Sequence, residues 1–116
     1  QVALSNYMRL NPYKIMWLMV FYDLPTITKK DRKVFAKFRK DIMKDGFTKM
    51  QNSVYLRHCA SRVNSEIHVK RVKSVLPDKG LVSILKVTDK QFDQIETFKS
   101  KKSIPPPTGG QQLEMF

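Results

Sequence analysis

The hydrophobic positions of the chain include several runs that are typical of β-strands. The run IMWLMVFY at 15–22 is rich in aromatic and β-branched residues and ends shortly before Pro25, which cannot donate to a sheet ladder. A similar run at 81–88 predicts a later strand. Between them, residues 47–50 and 54–58 predict either one kinked strand or two strands in tight succession.

The segment after the first run has the spacing of an amphipathic helix. Thr28 is a candidate N-cap, and Asp31, three residues later, makes an imperfect capping box. The helix is predicted to run to about Lys44, and Gly46 can adopt the left-handed conformation that ends many helices. Its predicted inward face consists of Val34, Phe35, Phe38 and Ile42.

A second helix is predicted from an N-cap at Ser61 to about Leu76, before a turn at 77–80. A short polar helix or turn is predicted at 89–98. The predicted inward face of the second helix is His68, Val69, Val72, Val75 and Leu76, and we interpret His68 as a half-buried packing residue.

This order of elements predicts an α+β fold, a ferredoxin-like βαββαβ sandwich whose antiparallel sheet carries two helices on one face. The first strand has no polar residue at 15–22, so both of its faces favour burial, yet two helices cover only one face of a sheet. At roughly 25 cal/mol per Å², leaving three or four such side chains in water would forfeit several kcal/mol. We therefore expect a homodimer formed through the open sheet face.

The predicted domain spans residues 14–98. Residues 1–13 are expected to be an N-terminal extension, with the first seven left out of the fold and Met8 a candidate native start. The proline- and glycine-rich segment 99–111 is predicted to be a linker, followed by a C-terminal docking peptide or strand at 112–116.

Composition and charge narrow the class of protein. The 116 residues carry 22 lysines and arginines against 10 aspartates and glutamates, a formal net charge of +12, and are 41% hydrophobic, which indicates one folded domain with an anionic partner. Cys59 is the single cysteine, so an intrachain disulfide and a zinc cluster are excluded. The longest apolar run is far shorter than the roughly 20 residues of a membrane span. We expect a cytoplasmic protein with no membrane association.

The strongest chemical signal is the charge of the first helix. Residues 28–44 contain eight cations and two aspartates, a net charge of +6, which favours binding to a nucleic-acid backbone over a merely solvated surface. An RNA-recognition module shares the element order, but the segment VYLRHC at 54–59 lacks the aromatic residues that such a module needs. The candidate nucleic-acid-binding residues are Lys29, Lys30, Arg32, Lys33, Lys37, Arg39 and Lys40.

Five segments together carry a family resemblance. They are FYDLP at 21–25, KDGF at 44–47, MQNSVYLR at 50–57, RVNSEIHVKRVKSVLPDKG at 62–80 and VSILKVTDKQF at 82–92. In this order they resemble the CRISPR-associated Cas two (Cas2) family over about residues 14–98, in a variant similar to those found beside Cas nine.

The resemblance implies two functions. The first is a role in antiviral defence, in which a ferredoxin-like homodimer bridges two dimers of the integrase Cas one and holds double-stranded protospacer DNA during spacer acquisition. The second is a magnesium-dependent endonuclease, a hydrolase acting on RNA or double-stranded DNA. In that function the aspartate ending the first strand binds the metal, which implies Asp23 as the catalytic and metal-binding residue here. From the residues alone, an aspartate before Leu-Pro favours a simple turn.

His58, Cys59 and the C-terminal tail are weaker candidates for a function than the first helix. His58 lies at a strand end, and Cys59 has no evident activating partner, so neither indicates a general base or a nucleophile. In the tail, the predicted docking residues are Gln112, Leu113, Met115 and Phe116. The resemblance implies that this tail pairs with the partner subunit or with Cas one. The alternative is that it resembles the peptide by which bacterial proteins bind the DNA sliding clamp. A Cas nine-containing acquisition complex is a further partner that the resemblance implies for the whole protein.

Overall fold

The computed structural model describes residues 15–100 and 102–105 of the chain. Their elements follow the predicted order; the short helix predicted at 89–98 spans only 89–92, and two further strands follow it. The elements are β1 (Met16–Asp23), α1 (Lys29–Lys44), β2 (Thr48–Gln51), β3 (Val54–Cys59), α2 (Arg62–Lys73), β4 (Leu81–Thr88), α3 (Asp89–Phe92), β5 (Thr97–Lys99) and β6 (Lys102–Ile104).

Strands β1 to β4 form one antiparallel sheet in the order β2-β3-β1-β4, so the apolar first strand lies in its interior. This order confirms the predicted ferredoxin-like α+β fold. The two stretches after Gly46 are two strands, β2 and β3, joined by a tight turn in which Ser53 has a positive φ of 63°. Of the two alternatives that the sequence left open, the pair of strands is therefore confirmed.

Helix α1 begins and ends where the sequence predicts. Thr28 Oγ1 accepts a hydrogen bond from the backbone N–H of Asp31 at 2.9 Å, and Asp31 Oδ2 accepts one from the N–H of Thr28 at 3.2 Å. Gly46 follows the helix with a φ of 93°, which residues with a side chain rarely adopt. One inward residue was misplaced, because Val34 lies at the rim of the apolar stripe and is exposed.

Helix α2 is shorter than predicted. Ser61 caps its start, accepting a bond from the N–H of Asn64 at 3.0 Å, but the helix ends at Lys73. Leu76 is 46% exposed and lies outside the helix, so its predicted inward position is wrong. The physical reason is that Leu76 precedes Pro77, whose ring disfavours the helical conformation of the residue before it.

The helix-facing side of the sheet holds the main core. Leu18 and Val20 of β1 are fully buried beneath Phe38 of α1 and Val72 of α2. Along β1, Leu18 and Val20 alternate with Trp17 and Met19, whose side chains point to the other face of the sheet. Both predicted helices therefore cover the same face, as the sequence indicates.

The opposite face of the sheet is covered at one end by the chain itself. Phe92 of α3 stacks on Trp17, with ring centroids 4.2 Å apart and planes 18° apart. The indole N–H of Trp17 donates to Asp89 Oδ1 at 2.7 Å. At the other end Phe21 is half-buried and Leu81 is 72% exposed. The sequence analysis treated this whole face as uncovered, which is wrong for the half beneath α3. The homodimer stays a prediction.

The chain then forms a small hairpin where a linker was predicted from residue 99 onward. Strands β5 and β6 pair antiparallel, with Ser100 in the left-handed region at a φ of 58° beside the turn. The rest of the predicted linker at 106–111, the extension at 1–13 and the docking peptide at 112–116 lie outside the described residues. Within the described part of the chain, no helix combines the length and apolar character that crossing a bilayer requires.

Candidate nucleic-acid interface

Helix α1 carries five exposed lysines on the side that faces away from the sheet. At about 100° of rotation per residue, they fall within an arc of about 80° directly opposite Phe38 and Ile42, the buried residues of the helix. At about 1.5 Å per residue, the set extends over about 22 Å. We call this surface the lysine face; its residues are Lys29, Lys33, Lys37, Lys40 and Lys44.

Four of the seven predicted nucleic-acid-binding residues therefore lie together on this face. Lys44 completes it, although the sequence counted that residue only in the charge of the helix. The remaining predicted cations lie on the flanks of α1. Lys30 lines a groove of about 410 Å³ between α1 and the loop after α2. Arg32 and Arg39 are exposed on the other flank.

Arg32 has a structural task that the sequence does not reveal. Its Nη1 donates to the backbone carbonyls of Thr26 at 3.2 Å and Ile27 at 2.8 Å, the two residues before the N-cap. The guanidinium thus braces the loop that leads into α1. This contact occupies Nη1 and, among the described residues, leaves the N–H groups of Nε and Nη2 free.

The two aspartates of α1 neutralise little of the lysine face. Asp31 is occupied at the N-cap, where the hydrogen bond from the backbone of Thr28 lowers the pKa of its carboxyl group. Asp41 accepts from Lys37 Nζ at 2.7 Å, one turn away. Exposed pairs of this kind contribute only about 0–1 kcal/mol, so Lys37 can exchange Asp41 for a phosphate.

The predicted metal residue lies on the other side of the molecule, at the end of β1. Asp23 is exposed and pairs with Leu81 of β4 in the sheet register. It lines an open depression of about 360 Å³ together with Asn52, Ser53 and Ser83. The N–H of the preceding residue donates to the Ser53 carbonyl at 3.0 Å, which ties this strand end to the β2–β3 turn.

The side chains in this depression fit a magnesium ion only in part. A magnesium ion takes oxygen ligands, commonly one or two carboxylates with waters and substrate phosphates. Asp23 supplies one carboxylate, and Asn52, Ser53 and Ser83 offer neutral oxygens. Among the described residues, no group of three or more histidines, cysteines, aspartates or glutamates is arranged to hold a metal. Asp23 would therefore hold the ion with waters, or with a second carboxylate from another subunit.

Neither histidine belongs to this depression. His58 contacts Trp17 edge-on, with ring centroids 4.9 Å apart, and its desolvation there lowers the pKa of its imidazole. His68 is fully buried rather than half-buried, with Nδ1 2.8 Å from Asp45 Oδ2. No sequence signal links His68 to Asp45, because the two residues are 23 positions apart.

Asp45 joins the ends of the two long helices. Arg71 Nη1 donates to Asp45 Oδ1 at 2.8 Å, so the carboxylate binds both Arg71 and His68 of α2. Burial alone would raise the pKa of Asp45, but the hydrogen bonds from Arg71 and His68 outweigh it and lower that pKa. Cys59 is fully buried nearby, and its desolvation raises the pKa of the thiol. These groups stabilise the fold and are poorly placed for catalysis.

The predicted docking residues of the tail, Gln112, Leu113, Met115 and Phe116, lie outside the part of the chain that the structure describes. The predictions for that tail are therefore unchanged by the fold.

Comparison with known proteins identifies the family to which the chain belongs. The family model described as "CRISPR associated protein Cas2" matches residues 16–95, the interval from the start of β1 to just beyond α3.

Relatives match over nearly the whole chain. A protein of Flavobacterium psychrophilum is 47% identical over 112 residues, 97% of this chain and 97% of the relative. One of Parvibaculum lavamentivorans is 50% identical over 101 residues, 87% of this chain and 100% of the relative. One of Paracidovorax avenae is 36% identical over 107 residues, 92% of this chain and 99% of the relative. Each is named "CRISPR-associated endoribonuclease Cas2".

Proposed function

Because the chain belongs to the CRISPR-associated Cas2 family, we propose that it is a homodimeric adaptor of spacer acquisition. In this function it holds duplex DNA on its α1 helices and bridges dimers of the integrase Cas one, which performs the chemistry. The observation that carries the proposal is the lysine face.

The shape of the lysine face suits a duplex backbone. Duplex DNA carries about one negative charge per 1.7 Å of its axis, so a lysine row about 22 Å long meets several phosphates at once. Lysine ammonium groups bind phosphates as point charges and do not read base edges in a fixed geometry. We therefore expect binding without sequence preference, as a protein that accepts any protospacer requires.

A dimer through the open sheet face would present two such surfaces. The half of that face beyond α3 has half-buried Phe21 and Val54, with exposed Leu81 and Leu85 beside them. Their burial against a second copy would remove an apolar patch from water. Since α1 and α2 lie on the far side of each sheet, the two lysine faces would then lie on opposite outer surfaces of the dimer.

Salt titration of DNA binding tests the adaptor. Each neutralised phosphate contributes a slope of about 0.9 in log affinity against log salt, so Lys33→Gln and Lys40→Gln should each reduce the slope by about 1. The matched control is Lys90→Gln, an exposed lysine on α3, and it should leave the slope unchanged. A wild-type affinity that does not respond to salt, or equal effects of all three variants, would contradict the proposal.

A second candidate function is favoured by the names of the relatives. As an endoribonuclease, the chain would use Asp23 to hold a magnesium ion, which supplies charge neutralisation at a substrate phosphate. Asn52, Ser53 and Ser83 would position water around that ion.

The variant Asp23→Asn separates the two functions. The adaptor predicts normal spacer acquisition in cells and normal DNA binding by the variant. The nuclease predicts magnesium-dependent cleavage of RNA or duplex DNA by the wild type and its loss in the variant. Asp93→Asn, at an exposed aspartate after α3, is the matched control for the loss of one negative charge.

A further inference from the structure

Ile27 is the most exposed large hydrophobic residue in the described part of the chain. It exposes 86% of its surface in the loop between β1 and α1. An isolated exposed hydrophobic residue is ordinary on a protein surface when its side chain is free to fold back against its neighbours. The backbone around Ile27 restricts that freedom.

The loop that carries Ile27 is braced on both sides. Arg32 Nη1 donates to the carbonyl of Ile27 at 2.8 Å and to that of Thr26 at 3.2 Å. The capping box of Thr28 and Asp31 fixes the next residue, and the ring of Pro25 fixes φ at the start of the loop. The fold therefore holds an aliphatic side chain out in the solvent in one backbone conformation.

The charges around Ile27 indicate what it contacts. Lys29 and Lys30 lie in the first turn of α1 and Lys33 in the second, and Lys29 and Lys33 are the first two residues of the lysine face. An aliphatic side chain with lysines beside it is the arrangement of minor-groove proteins, in which cations bind the backbone and an apolar wedge enters between two base pairs. A single side chain offers little area to a protein partner, so a duplex fits the observations better.

We propose that Ile27 is a wedge that unstacks a base step of duplex DNA lying on the lysine face. The inference rests on the proposed DNA-binding function and adds a contact with the bases to it. Arg32 acts as a positioning residue for Ile27, since its Nη1 holds the loop. Wedge insertion bends a duplex, so the bound DNA would be kinked near the start of α1.

The test uses short duplexes with 2-aminopurine at one position at a time, since the emission of this base rises when it leaves its stack. At saturating protein, the wild type should raise the emission at one position or a few. Ile27→Thr keeps the β-branch but lacks the apolar tip, and it should lose that rise while its affinity falls by no more than about tenfold. Arg32→Gln should weaken the rise because it frees the loop.

Two control variants separate base unstacking from the affinity for DNA and from the loss of any exposed apolar side chain. Lys33→Gln should weaken binding and lower the salt slope, yet keep the emission rise once the protein is saturating. Val63→Thr removes another apolar side chain, 73% exposed but on α2, and should change neither property.

An equal emission rise from the wild type and Ile27→Thr would overturn the wedge while leaving DNA binding intact. A wild type that binds DNA with no rise at any position would do the same. Failure of the wild type to bind any duplex would overturn the proposed function, and the wedge with it. Thermal unfolding of Ile27→Thr should match that of the wild type, since Ile27 buries little of its surface in the fold.

Discussion

The two faces of β1 are equally apolar in sequence but are covered in different ways. On one face, Leu18 and Val20 lie beneath two helices of 16 and 12 residues. On the other, Trp17 is covered by a helix of four residues, and Phe21 lies at the end that this helix does not reach. An apolar strand therefore does not by itself indicate a partner, because the chain supplies part of the cover. Among the described residues, the uncovered end is the part of this sheet face that a second copy could still cover.

Truncating one aromatic residue on each face tests this comparison most strongly. Phe38→Ala should lower the free energy of unfolding by about 3–5 kcal/mol, because the cavity lies between a long helix and the sheet. Phe92→Ala should cost less, about 2–3 kcal/mol, because the short α3 can settle against Trp17. Urea denaturation followed by circular dichroism gives both values, with Val63→Ala as an exposed control. Equal losses would break the distinction between the two faces.

The contact of Asp45 with His68 and Arg71 should make the stability of the helix-covered side of the sheet depend on pH. The pKa of Asp45 is lowered in the folded protein, so its stabilising contribution is present above its ordinary value of 3.8 and is lost as the pH falls through the folded value. Asp45→Asn should cost about 1–3 kcal/mol at pH 6. Urea midpoints measured from pH 6 downward should show that this difference narrows below about pH 4. A difference that stays constant with pH would exclude the charge of Asp45 as the cause.

The smallest effect on stability is expected at the uncovered end of the open face. Leu81→Gln and Leu85→Gln remove exposed apolar groups, so each should change the free energy of unfolding by less than about 0.5 kcal/mol. If this end is the dimer interface, each should weaken dimerisation by at least about tenfold. Sedimentation at several protein concentrations measures the dimer, and Ile67→Gln on α2 is the matched control. Unchanged self-association of the two leucine variants would place the interface elsewhere.

The long elements could be predicted because their signals are local. The capping box at Thr28, the left-handed Gly46 and the period of Phe38 and Ile42 lie within one stretch of sequence. The cover on the open face could not be predicted in this way. Phe92 belongs to a four-residue helix that has no periodicity, and the bond between Trp17 and Asp89 joins residues 72 positions apart.

The same limit applies to the candidate interface. The sequence identified the cations of α1, and the helical period already places Lys29, Lys33, Lys37 and Lys40 on one face. It gave no sign that Arg32 binds two loop carbonyls, because that contact depends on the path of the backbone before the helix. It also gave no sign of the bond between His68 and Asp45, which requires the two helices to meet.

The position of Trp17 beneath α3 has a practical consequence. It is the one tryptophan of the chain, so ultraviolet emission from indole originates at a single place in the molecule. Any event that lifts α3 would wet that ring and move its emission to longer wavelength, whereas events around the lysine face would leave the spectrum as it is. The protein thus contains an intrinsic optical probe of one side of its sheet and needs no added label.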